Sequence, residues 1–167
     1  WQYALGQWNV GEGELRLKVG GGVDTRLGFL YNMRNSNNPA QAYGQVNIAP
    51  NAVAAYRFRL RNLPFQLRYE VQVPLLGLAF SPNYGQSYYE IFTHDNYDHN
   101  LVVTSPVSAP SLRQLLTLDF TVRHTTFRIG YLGDYQQAKI NQLRQHVWSN
   151  LLVLGIVRKF SINKFIP

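Results

Sequence analysis

A chain of 167 residues, 46% hydrophobic and 15% charged, has the material for one folded domain; without cysteine it has no disulfide framework and no thiolate metal site. The formal net charge is +7, but the basic residues are scattered singly, with no Lys/Arg run to favour nucleic acid as a partner. No apolar run approaches the ~18 residues of a membrane helix.

Trp1 to Val10 alternates loosely, Tyr3 and Leu5 against Gln2 and Ala4, and reads as a strand. Gly11-Glu12-Gly13 signals a turn. Leu15, Leu17 and Val19 then share one face, and Glu14, Arg16 and Lys18 the other. Gly20-Gly21-Gly22 predicts a tight turn, because glycine accepts positive φ. The next strand sets Val23, Thr25, Leu27, Phe29, Tyr31 and Met33 against Asp24, Arg26, Gly28, Leu30, Asn32 and Arg34. Asn35 to Gln45 is polar, carries Pro39 and Gly44, and reads as a longer loop.

A strand from about Asn47 to Leu60 leads into the clearest pattern in the chain. Ala54, Tyr56, Phe58 and Leu60 alternate with Val53, Ala55, Arg57 and Arg59. After a turn at Arg61-Asn62-Leu63-Pro64, Phe65, Leu67, Tyr69, Val71 and Val73 alternate with Gln66, Arg68, Glu70 and Gln72. Strict period two marks strands with one apolar and one polar face. Pro74 and Gly77 bend or end the second strand near Leu78. Phe80 to Ser111, with Pro82, Pro106 and Pro110, predicts a long segment without sustained alternation. Alternation resumes from Leu115 to Arg123: Leu116, Leu118, Phe120 and Val122 oppose Thr117, Asp119, Thr121 and Arg123. His124-Thr125 reads as a tight turn, after which Phe127, Ile129, Tyr131 and Tyr135 oppose Thr126, Arg128, Gly130, Leu132 and Asp134. Gln136 to Gln145 reads as a polar loop with partial helix. Val147 to Phe160 is the last strand, and its run Leu151 to Leu154 leaves the faces undecided.

The fold class is therefore all-β and antiparallel, with about eight strands in one domain. Alternation alone does not say which face is wet. In a soluble sandwich the apolar face points into a core; in a membrane barrel it meets lipid and the charges line the lumen. Three features favour the barrel. Short connections (Gly20–Gly22, Arg61–Pro64, His124–Thr125) alternate with long ones (Asn35–Gln45, Phe80–Ser111, Gln136–Gln145), as in outer-membrane barrels. The strands run about ten residues or more, against a usual mean of about five or six. Phe65, Tyr31, Tyr135 and Trp148 lie near strand ends, where aromatic girdles form. The lumen face would carry Glu14, Arg16, Lys18, Asp24, Arg26, Arg57, Arg59, Arg68, Glu70, Asp119, Arg123, Arg128 and Asp134. An eight-stranded barrel is just wide enough for side chains, so these mixed charges predict an ion-paired, plugged interior. With short turns on the periplasmic side, the carboxyl end is expected in the periplasm.

Trp1-Gln-Tyr-Ala-Leu-Gly-Gln-Trp8, Leu30-Tyr-Asn-Met-Arg-Asn-Ser-Asn-Asn-Pro39, Ala52–Leu60, Pro74-Leu-Leu-Gly77, Ser81–Phe92 and Gly130-Tyr-Leu-Gly-Asp-Tyr135 resemble the DUF3316 family, over nearly the whole chain. The resemblance implies an uncharacterised outer-membrane β-barrel protein of Bacteroidota, with a signal peptide and further residues ahead of the region matching Trp1, and a barrel that can exceed eight strands. It carries no activity.

For chemistry, a lipid hydrolase needs a nucleophilic Ser and a His base on one face near a membrane rim. His146 and Ser149, three apart, fall on opposite faces, and His124 sits in a turn without Ser. His94 and His99, with Asp95 and Asp98, do not match the calcium-loop pattern and read as a solvated loop tip. No catalytic residue, metal site or cofactor is expected. In Ser81–Phe92, Tyr84, Tyr88, Tyr89 and Phe92 form an aromatic surface that either folds back to plug the lumen or docks a partner or glycan. The expected function is a structural or accessory subunit of an envelope complex, contacting outer-membrane lipid and other outer-membrane proteins. A lipid-modifying enzyme or small transporter is the alternative.

Overall fold

The computed structural model describes residues 1–31 and 40–158. In chain order the elements are β1 (Gln2–Val10), β2 (Gly13–Tyr31), β3 (Ala40–Leu60), β4 (Leu63–Gln72), β5 (Leu76–Phe80), a short helix α1 (Tyr88–Thr93), β6 (Leu101–Thr104), β7 (Ser111–Val122), β8 (Thr125–Ile140) and β9 (Leu143–Arg158). Every pairing is antiparallel. Seven strands lie side by side in the order β1-β2-β3-β4-β7-β8-β9; β5 adds to β3 beyond the end of β4, and β6 adds to β5.

One rim of the sheet carries three two-residue turns, Gly11–Glu12, Arg61–Asn62 and Arg123–His124. Arg61 and Asn62 have φ of 48° and 65°, the left-handed pair whose twist suits a two-residue hairpin. This turn is narrower than Arg61–Pro64, since Leu63 and Pro64 already pair in β4, and the third turn lies one residue before His124–Thr125. The opposite rim holds the end of β2 at Tyr31 and the start of β3 at Ala40, the long passage between β4 and β7, and the Asn141–Gln142 turn.

Four expectations are corrected. Gly20–Gly22 is not a turn: β2 runs straight through it, and none of the three glycines has a positive φ. The glycines serve a close approach instead. Trp1 and Gly21 exchange backbone hydrogen bonds, and a Cβ at Gly20 would collide with the Trp1 carbonyl. Gln136–Gln145 is not a loop but the tip of the β8–β9 hairpin, turning at Asn141–Gln142 with φ of 50° and 64°. Its outward Gln137 and Lys139 are polar, so the hydrophobic period vanishes while the ladder continues; Gln137 N and Lys139 N bond the carbonyls of Pro110 and Ser108. β3 starts at Ala40, within the segment expected as the Asn35–Gln45 loop, while residues 35–39 lie outside the described residues, as do 159–160 of the last strand. Finally, among the described residues the sheet has nine strands and is not closed into a barrel; its seven-strand run ends at β1 and β9, and β6 is a further open edge.

The sheet is nonetheless strongly curled. Arg26 on β2 comes within 3.7 Å of Asp134 on β8, although β3, β4 and β7 lie between them in the sheet. Four strand spacings in a flat sheet would be ~19 Å, further than the two side chains reach together. Arg26 also lies six positions beyond Gly20, the β2 residue in Asp134's own row. That offset follows when inclined strands wrap around an axis.

The convex face is apolar and uncovered. Leu27 is 80% exposed, Leu154 71% and Ile156 72%. The concave face holds the buried polar groups: Asp24, Arg26, Asn47, Thr117 and Asp119 are each at most 9% exposed. Buried apolar residues are few and mostly small, among them Ala49, Val53, Ala79 and Ala109, with Ile91 the largest fully buried side chain among the described residues. This reverses the usual partition of a water-soluble sandwich.

Candidate functional site

The alternation that made the strands legible sends every second side chain to the concave face, and register stacks these into rows. Nearest the turn rim, the hydroxyls of Thr121 and Thr126 bond at 2.8 Å. The next row crosses five strands: Glu14, Arg57, Gln66, Asp119 and Arg128. Arg128 donates twice to Asp119, Nε to Oδ1 and Nη2 to Oδ2, both at 2.6 Å; Arg57 Nε donates to Gln66 Oε1 at 2.8 Å. Bidentate geometry fixes orientation as well as energy. A row further, Arg16, Ala55, Arg68, Thr117 and Gly130 stand together, with Arg16 on Glu14 and Arg68 Nη2 on Glu70 Oε2 at 2.6 Å. Higher on β2, Arg26 Nε lies 2.7 Å from Asp24 Oδ2. Asn47 is the neighbour of Asp24, and its Oδ1 accepts from Gln45 and from Thr104.

All five acids on this face are thus held by an arginine: Glu14 by Arg16, Asp24 and Asp134 by Arg26, Glu70 by Arg68 and Asp119 by Arg128. Local pairing offsets the cost of burial where it is greatest, at Asp24 and Arg26, whose side chains are each 8% exposed. Lys18, Arg57, Arg59 and Arg113 face the same way without a carboxylate partner among the described residues, so the face is cationic overall. Of the residues expected here, Arg123 is displaced: it forms the β7–β8 turn at φ 54° and is exposed. Arg113, between Gln72 and Asp134, belongs to the face and escaped the sequence reading, because Pro110 hides the alternation of Ser111-Leu112-Arg113-Gln114. A cavity of about 750 Å³ opens at the turn rim beside Arg57, Arg59, Gln66 and Asp119.

The loop aromatics divide. Tyr88 and Phe92 stack at 6.2 Å and Phe92 meets Phe80 at 6.4 Å; Phe80 pairs with Gly44, which places this cluster on the convex side. The Tyr88 hydroxyl contacts the Ala42 backbone. Ser87 caps α1 through a reciprocal pair of bonds with Glu90. Tyr84 and Tyr89 are exposed. At the trough's loop rim the Asn141 side chain ties the β8–β9 turn to the loop after β5: its Nδ2 donates to the carbonyls of Ser81 and His99, at 3.0 and 2.8 Å.

On the convex face, Phe58, Phe65, Phe120 and Phe127 form one row across β3, β4, β7 and β8, with ring centroids 5.5, 6.0 and 5.4 Å apart. Tyr56 continues it at 5.5 Å from Phe58. Toward the loop rim, Tyr135 meets Trp148 edge-on at 6.1 Å and shares a hydroxyl contact with Tyr131. Leu67, Leu116, Leu118, Ile129, Leu152 and Leu154 lie between the two aromatic groups.

No hydrogen bond joins a serine hydroxyl to a histidine among the described residues. His146 pairs with Gln137 on the convex face and Ser149 with Asp134 on the concave face. His94 packs edge-on against Tyr89, and His99 pairs with Asp98 on the surface. No group of three His, Asp or Glu suited to a metal occurs among the described residues, and no described helix is long and apolar enough to cross a membrane.

No curated protein and no solved structure matches the chain. A family model described as protein of unknown function (DUF3316) matches residues 1–165, and the chain belongs to that family.

Proposed function

We propose that this chain is a β-barrel protein of a bacterial outer membrane, of Bacteroidota origin, acting as a structural or accessory subunit of an envelope complex. The observation that carries the reading is the inverted partition: an uncovered apolar convex face between two aromatic groups, and a concave face whose acids are all ion-paired. In water such a convex face would be an aggregation hazard far larger than a usual surface patch. In a bilayer it is the lipid-facing band, with the Phe58–Phe127 row as one girdle and Tyr135 and Trp148 as the other. The two-residue turns then mark the periplasmic rim and the passage from β4 to β7 the outer one. The ion pairs across this face support a lumen largely occupied by side chains, which favours a scaffold over a pore.

The test is refolding of the purified chain into phospholipid vesicles carrying brominated acyl chains. The expected result is insertion, with strong quenching of Trp8 and Trp148 and a protease-resistant sheet. A chain that stays soluble and monodisperse without lipid or detergent refutes the proposal.

A further inference from the structure

The concave face breaks its own rule in one place. Where β7, β8 and β9 pass the middle of the trough, the inward positions are Leu115, Leu132 and Leu151 in one row, with Val153 in the next. A charged interior has no need of an aliphatic wall. Beside it lies a cavity of about 440 Å³, lined by Glu70, Gln72, Arg113, Leu115, Leu132 and Val153, within the ~300–1,000 Å³ usual for small-molecule sites. Its polar side is not balanced. Glu70 is held by Arg68 at 2.6 Å, and the Asp134 oxygens are turned to Arg26 at 3.7 Å and Gln136 at 3.2 Å. Arg113 is exposed, and its guanidinium has no hydrogen bond or ion pair among the described residues.

We infer that this cavity binds an anionic amphiphile, with Arg113 and Gln72 on a carboxylate or phosphate head and Leu115, Leu132 and Val153 around a short aliphatic tail. The inference rests on the concave face being a barrel lumen and goes beyond a purely structural role. A free guanidinium beside an apolar wall supplies both halves of such a ligand, a bidentate anion contact and burial of methylenes. Inorganic anions would use only the first half, and neutral hydrocarbons only the second.

The experiment uses the full chain in lipid nanodiscs, with insertion first established by bromolipid quenching. Binding of hexyl phosphate, hexanoate, 1-hexanol and inorganic phosphate is then followed by calorimetry. Hexyl phosphate or hexanoate should bind saturably, and the one that does identifies the head group. 1-Hexanol and inorganic phosphate should each bind at least about tenfold more weakly, as expected if each keeps one half of the contact. Arg113→Gln should weaken the anionic amphiphile about tenfold or more, Arg113→Lys much less, and Leu132→Asn should weaken it while leaving inorganic phosphate unchanged. Insertion without saturable binding, or binding indifferent to Arg113→Gln and Leu132→Asn, overturns this inference alone. Failure to insert overturns the barrel reading and this one with it.

Discussion

Leu116 offers the sharpest test of which face meets lipid. It points outward from β7, is 42% exposed and shares its row with Tyr69, Tyr131 and Leu152. Phe120, in the phenylalanine row, and Leu112, beside Tyr135, lie four positions to either side. Four residues span ~13 Å along a strand, or about 10 Å along the normal at a tilt of about 40°. On the barrel reading Leu116 therefore sits near the middle of an apolar band about 25 Å tall. An arginine there should cost ~2–4 kcal/mol in a bilayer, whereas at Val122, 40% exposed and beyond the phenylalanine row, the same change should cost ~0–1 kcal/mol. On a water-exposed surface both changes would stay within about 0.5 kcal/mol. The measurement is reversible guanidinium unfolding in phospholipid vesicles, followed by tryptophan fluorescence, for wild type, Leu116→Arg and Val122→Arg. Equal costs for the two variants, or a Leu116→Arg cost inside 0.5 kcal/mol, would refute the assignment of the convex face to lipid.

Three further outcomes are expected. Asp119→Asn should destabilise by ~1–3 kcal/mol, since it strips the bidentate partner from Arg128, and a double-mutant cycle with Arg128→Gln should return a coupling of about 1 kcal/mol or more; a coupling near zero would show the pair to be incidental. Gly130→Ala should cost ~1–3 kcal/mol in the same unfolding assay, because the new methyl meets the Leu116 carbonyl at 2.5 Å and Thr117 Cγ2 at 2.8 Å; an unchanged midpoint would contradict that packing. Replacing Arg61-Asn62 by Asn-Gly should stabilise by about 0.5–1 kcal/mol, because both central residues have positive φ; a loss of stability would mean that the turn is not the two-residue hairpin described.

The fold class was legible because period two survives wherever a strand has unlike faces, as at Ala54–Val73 and Leu115–Tyr135. It failed where faces stop differing. In Gln136–Gln145 the outward Gln137, Lys139 and Arg144 are polar while Ala138, Ile140 and Leu143 face inward, so the phase of the alternation inverts and a continuous hairpin reads as a loop. The glycines at 20–22 looked like a turn because their local signal is the same whether they serve positive φ or close backbone approach; only the position of Trp1 decides. Arg57, Arg68, Asp119 and Arg128 obey parity and share the concave face, whereas Arg123, expected with them, forms the β7–β8 turn. Their partners were not readable in advance. The Asp119–Arg128 pair needs the register of β7 on β8, and the Arg26–Asp134 approach needs the curl of the whole sheet. Of the leucine row beside Arg113, Leu132 obeys parity with Arg128 and Asp134, but Leu151 is hidden in the Leu151–Leu154 run, where neither face is polar enough to set the phase.

The two ends of the seven-strand run have a directional consequence. β1 and β9 both descend from the loop rim to the turn rim. Joined to each other they would be parallel neighbours in a sheet where every other contact is antiparallel. A second copy turned about an axis along the strands meets the same obstacle, because its own β9 also descends. A fully alternating ring is therefore completed only by an odd number of additional ascending-first strands, which brings the total around the circumference to an even number.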